Sequence, residues 1–212
     1  MKFISGIQQI GIGIPDVYEA WKWYRKNFGF DVPVFDDPGT AALMLPYTGG
    51  RPQKRHAVLA INMGGGGGFE IWQYTSRTSQ PAAFEVQAGD LGIFIARIKT
   101  ADVQRAWNTF HEKGLAIHSE LLQDPTGNNC FYVKDPYGNL FQITGASDFF
   151  SKTGQITGGA YGAFIGVTDP DKSIQFYSEI LGYDKILYDK TGEFEDFKAL
   201  PGGNGKFRRV LI

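Results

Sequence analysis

Two polar side chains interrupt apolar, β-rich runs of this sequence: Glu70 stands between Phe69 and Ile71, and Gln142 between Phe141 and Ile143. Alternation along a strand turns each of them to the face opposite its neighbours, and puts Trp72 and Tyr74 on the face of Glu70. A carboxylate kept from water by aromatic walls holds its proton to higher pH, which suits a general base near neutrality. The plainer alternative is a polar cluster in which Glu70 bonds Gln9 and Gln142. Arg97 shares its strand face with Ile93 and Ile95; it suits a ligand carboxylate or enolate by bidentate contact, or an acidic neighbour at a rim. Gly64 to Gly68 is a run of five glycines, but no Lys-Ser or Lys-Thr follows it, and a strand rather than a helix comes next. It reads as a flexible hairpin connection, or as a mobile lid. The three histidines read as structural or surface groups: His56 just before a strand, His111 on the exposed side of a helix, and His118 in a short connecting strand.

The elements that must carry these residues repeat. Residues 7–14 alternate with period two, and Asp16 then caps a helix whose stripe is Val17, Ala20, Trp21, Tyr24 and Phe28, stopped by Gly29. Short β-like runs follow at 32–35, 41–45, 57–62 and 69–74. After a polar stretch from Thr75 to Gln80, a strand at 91–98 precedes the stripe Val103, Ala106, Trp107 and Phe110, which ends at Gly114. Next comes a hairpin with flanks 131–134 and 140–144, turning through Asp135-Pro136-Tyr137-Gly138-Asn139. A third copy opens at Tyr161, where Phe164 to Asp169 mirrors Gly11 to Asp16. The division is 1–75, a linker at 76–87, 88–148, and 158–212. Lys206 to Ile212 resembles Lys54 to Ile61, after which the first copy still has a strand to come. The expectation is therefore a fragment of a longer chain, with a fourth copy partnering the third. An uncovered edge in the third copy predicts a homodimer through it.

The 212 residues carry a net charge of −1, which argues against nucleic acid or an anionic membrane as partner. A small-molecule ligand fits better. Apolar residues make up 42% of the chain, enough for a real core. The single cysteine, Cys130, reads as a small core residue. The N-terminal apolar run is too short for a signal peptide, and no segment approaches a membrane span, so a cytoplasmic protein is the expectation.

The run Ile10-Gly11-Ile12-Gly13-Ile14-Pro15-Asp16, with Trp21, Tyr24 and Phe28-Gly29-Phe30, and the turn Asp135-Pro136-Tyr137-Gly138-Asn139-Leu140 resemble the vicinal oxygen chelate superfamily: glyoxalase I, bleomycin-resistance proteins and extradiol dioxygenases. That resemblance implies an α+β fold of βαβββ modules paired into a cup-shaped mixed sheet with helices outside, the first two modules forming one cup. It also implies lyase, isomerase or dioxygenase chemistry on a small oxygenated or aromatic metabolite, with Glu70 as the catalytic group and Gln9, Trp72, Tyr74, Ile93, Arg97 and Gln142 around the ligand. The family's metal positions fall on Gln9 and Glu70 in the first module and on Ile93 and Gln142 in the second. Ile93 has no donor atom and Gln142 only a neutral one, so the implied divalent ion (zinc, nickel, iron or manganese) has half a ligand set. Two readings stay open. One is an enzyme in which Glu70 moves a proton; the other is a metal-free protein that sequesters its ligand without chemistry, as bleomycin-resistance proteins do.

Overall fold

The computed structural model describes residue 4, residues 6–149 and residues 151–212. Met1, Lys2, Phe3 and Ser5, part of the stretch read above for a leader, lie outside them.

Helix α1 (Val17–Phe28) starts where the sequence indicates, with the Asp16 carboxylate accepting from the backbone N–H groups of Tyr18 and Glu19, and it stops at Gly29 in the left-handed conformation, φ 63°. Its apolar stripe lies against a mixed sheet of β1 (Gln9–Gly13), β2 (Val32–Ala41), β3 (Gln53–Ile61) and β4 (Gly68–Tyr74). The order is β1-β4-β3-β2, with β1 parallel to β4. The strand expected at 32–35 runs on to Ala41 as β2, and the strand expected at 41–45 is not formed: past Ala41 the chain turns into a 3-10 helix at Leu45–Tyr47. Pro33 and Pro38 sit in it without breaking it, because β2 is an edge strand whose outer N–H groups pair with nothing in this sheet. His56 lies within β3, not before it.

The same order recurs in the second sheet. It contains β5 (Gly92–Thr100), β6 (Ala116–Ile117), β7 (Leu122–Gln123), β8 (Asn129–Lys134) and β9 (Leu140–Gly145), in the order β5-β9-β8-β6 with β7 also on β8. Helix α2 (Val103–Glu112), capped by Asp102, lies on its apolar face. His118 lies just past β6, its N–H bonded to the Tyr132 carbonyl.

The helix-bearing faces of these two sheets meet in one core. Phe69 of β4 stacks on Phe141 of β9 at 5.5 Å between ring centres, and Phe28 of α1 lies 6.0 Å from Phe110 of α2. All four rings are essentially buried. Each such pair contributes about 0.5–1.5 kcal/mol beyond the area it hides.

The third part of the chain contributes β10 (Ala160–Gly166), α3 (Pro170–Phe176) continued by a π-helical turn over Tyr177–Leu181, β11 (Tyr188–Gly192) and β12 (Phe207–Leu211). Strand β10 pairs antiparallel with β5 and so extends the second sheet. That pairing overturns the expected cup of the first two modules: the edge of β5 is taken by the third part, while among the described residues β1 bonds only β4. The fold is α+β, as expected; the two larger sheets are of mixed pairing, and β11 and β12 form a small antiparallel one.

Candidate functional site

The expected site residues fall into two groups on faces that point away from each other. Phe69 and Ile71, like Phe141 and Ile143, fill the shared core. The residues that alternate with them therefore project outward from opposite sides of the molecule, Glu70 from one and Gln142 from the other.

On the first sheet, the Gln9 side-chain amide donates to a Glu70 carboxylate oxygen at 2.6 Å. The parallel pairing of β1 and β4 sets Gly11 beside Glu70 and Gly13 beside Trp72. A Cβ at either glycine would meet nothing within 4 Å, so this part of the face is an open shelf. Trp72 and Tyr74 stand next along the strand, ring centres 6.1 Å apart. Sequence reading missed Arg55, whose guanidinium lies 5.3 Å from the centre of the Trp72 ring. It is anchored by the Asp37 carboxylate at 2.6 Å. The signal was present: Arg55 pairs with Tyr74 across β3 and β4, so alternation places it on the same face. The face thus combines the Glu70 carboxylate and the Gln9 amide with the Arg55–Asp37 ion pair and the rings of Trp72 and Tyr74.

On the second sheet the expected ligand contacts are already satisfied from within. The buried Arg97 donates through Nε to the Gln142 side-chain oxygen at 2.7 Å, and through Nη2 to the Asp124 carboxylate at 3.2 Å. The Gln142 nitrogen donates to Tyr132 Oη at 3.2 Å. Tyr132 lies 3.5 Å from an Asp196 oxygen, and Asp196 accepts two hydrogen bonds from Arg209, at 2.7 and 3.0 Å. Phe194, Phe197 and Leu200 from the third part of the chain pack with Ile95 and Tyr132 over this network. Of the alternatives for Arg97, pairing with an acidic neighbour is the one realised, although it is buried and not at a rim. Ile93, expected beside Gln142, is 58% exposed near the start of β5.

Burial and the nearby Asp196 and Asp124 carboxylates push the Cys130 thiol up to about 12. Burial, then Asp196, likewise raises the Tyr132 hydroxyl well above its usual range.

The residues present do not complete a site for the divalent ion. Gln9 and Glu70 supply two donor atoms and one charge, and they spend part of that capacity on each other. Gln142 is directed to the other side of the molecule and is held by Arg97. Among the described residues, no three histidine, cysteine, aspartate or glutamate side chains gather closely enough to hold a metal. Nor is any described helix long and apolar enough to cross a membrane.

Comparison with known proteins adds the family. Residues 6–143 match the model of the Glyoxalase/Bleomycin resistance protein/Dioxygenase superfamily. A search of curated proteins gave no match. Among solved structures, a single-site variant of glyoxalase I from Zea mays superposes with a TM-score of 0.61 at 17% identity, over 97% of this chain and 67% of that one. Another maize glyoxalase I structure gives 0.55 at 18%, over 87% and 57%. A glyoxalase family protein from Bacillus cereus gives 0.53 at 12%, over 68% and 95%. At these identities the likeness is one of fold. The chain spans 57% to 67% of the two maize structures.

Proposed function

The chain belongs to the Glyoxalase/Bleomycin resistance protein/Dioxygenase superfamily, and from that premise we propose that it holds a small oxygenated or aromatic metabolite on the open face of its first sheet. The observation that carries this reading is the Gln9–Glu70 pair beside a shelf with no side chains, at Gly11 and Gly13. Glu70 accepts a hydrogen bond from a ligand hydroxyl, or takes a proton from a carbon next to a carbonyl. Gln9 orients the carboxylate through its amide. Trp72 and Tyr74 offer ring faces to an apolar or planar ligand body, and Arg55 offers positive charge to its oxygens. No step is assigned to a metal. The second reading, sequestration without chemistry, is supported by the shortage of metal donors.

Calorimetric titration with hydroxyacetone and with catechol tests the site. Binding is expected in the native chain and is lost in Glu70→Ala; equal binding by both proteins removes Glu70 from the site. Exchange of the carbonyl-adjacent hydrogens of hydroxyacetone with deuterated solvent separates the two readings: exchange that is lost in Glu70→Ala supports proton transfer, and binding without exchange supports sequestration. A stoichiometric metal ion in protein purified without chelator, lost in Glu70→Ala, would overturn both.

The proposal includes a homodimer through the third part of the chain, where Phe176, Ile180 and Leu187 are more than half exposed. Light scattering over a concentration series is expected to show dimer; a monomer at the highest concentration counts against it.

A further inference from the structure

An open cavity of about 460 Å³, whose lining includes neither Gln9 nor Glu70, lies where the glycine run meets the segment leading into β10. It is lined by Gly6, Ile7, Gly65, Lys99, Asp148, Phe149, Ala160 and Tyr161. Lys99 is the unusual member: its side chain is only 6% exposed, yet its partner Asp148 is 61% exposed. The ammonium donates to the Asp148 carboxylate at 3.0 Å and to the Asp148 carbonyl at 2.5 Å. An ammonium has three donors, and among the described residues two hydrogen bonds are made from it, both to Asp148. Its nitrogen also lies 5.1 Å from the centre of the Phe149 ring and 5.3 Å from that of Tyr161. Gly65 makes the approach possible, since a Cβ there would fall 2.3 Å from Lys99 Cε.

The geometry points to a second binding site, one for a small aromatic carboxylate. A buried cation supplies the charge, two rings supply the walls, and the volume suits a single-ring acid with some water. Among the described residues, the anionic side chain paired with the ammonium is that of the solvent-facing Asp148, which a ligand carboxylate displaces by swinging it outward while the Asp148 carbonyl keeps its hold. No bond is made or broken. The site is independent of the Glu70 face.

Benzoate is the probe, titrated calorimetrically into the full chain, with neutral benzamide as control. Native protein is expected to bind benzoate and not benzamide. Asp148→Ala removes the competing carboxylate and is expected to bind benzoate at least about tenfold more tightly. Lys99→Met is expected to lose binding, and Glu70→Ala to retain it. The inference is overturned if Asp148→Ala binds no more tightly than the native chain, if a folded Lys99→Met still binds, or if Glu70→Ala abolishes binding. Should Lys99→Met fail to fold, as checked by circular dichroism, the Asp148→Ala and benzamide comparisons decide.

Discussion

Asp135 shows how much one side chain of a turn can hold together. One of its carboxylate oxygens accepts from the N–H groups of Tyr137 and Asn139, and the other accepts from the Asn139 side chain and from the Tyr24 hydroxyl at 2.5 Å. Tyr24 belongs to α1 and Asp135 to the β8–β9 turn, so this bond fastens the first sheet's helix to the second sheet's hairpin. The motif that signalled the family in the sequence is therefore a joint between units. Tyr24→Phe leaves one acceptor position of a buried carboxylate unfilled and is expected to cost about 1.5–3 kcal/mol in urea denaturation. A shift in the midpoint below a third of that would mean water replaces the hydroxyl. Cys130 yields a second expectation at this scale. Its thiol, fully buried and raised to about 12, is expected to resist thiol reagents at pH 8 in the native state and to react promptly in urea.

The glycine run shows how an element can mislead when read alone. Neither lid nor phosphate loop describes it: Gly65, Gly67 and Gly68 lie where a Cβ would strike backbone, the carbonyl of Gly158 at 1.8 Å, that of Ala160 at 2.3 Å and that of Ala60 at 2.0 Å. Asn62 pins the start of the turn, its side chain accepting from Gly64 and donating to the Phe28 and Thr157 carbonyls. The run is thus a seam between the first unit and the strap before β10. Gly65→Ala is expected to destabilise by about 1–3 kcal/mol, because backbone must move to admit the methyl group. Gly11→Ala, in open space, is expected to stay within about 0.5 kcal/mol of the native chain. Thermal melts of the two variants check both. If Gly11→Ala proved as costly as Gly65→Ala, the first sheet's outer face would not be open.

For the whole molecule, alkaline pH probes the joints together. The hydroxyls of Tyr24 and Tyr132 are held protonated above their usual 10.0, mainly by burial and then by the carboxylates of Asp135 and Asp196. Unfolded tyrosines ionise near 10, so from there upward the unfolded chain releases protons that the folded chain keeps. Stability from these groups is complete below about pH 10 and falls as pH rises toward the folded values. Denaturation midpoints are expected to decline above pH 10, and the decline to be shallower in Tyr24→Phe. A flat profile to pH 11 would show that neither phenol is buried in the folded state. Between pH 6 and 9 these two groups contribute no slope.

Local pattern was enough to read the first unit's helix, both of its ends, the hairpin and the family, because a cap, a stripe at helical spacing and a proline–glycine turn are each decided within a dozen residues. It was also enough to place Glu70, Trp72 and Tyr74 on one face. Which faces meet was decided elsewhere. Strand alternation states that Glu70 and Gln142 point away from their apolar neighbours, but not that those neighbours, Phe69 and Phe141, stack on each other across two sheets. Because they do, the two polar residues look outward in opposite directions. Gln142 is left to a network closed by Asp196 and Arg209 from far along the chain, and Glu70 to an open face. Periodicity records one element's own environment; the partner of a free strand edge, such as β10 for β5, is chosen by tertiary packing.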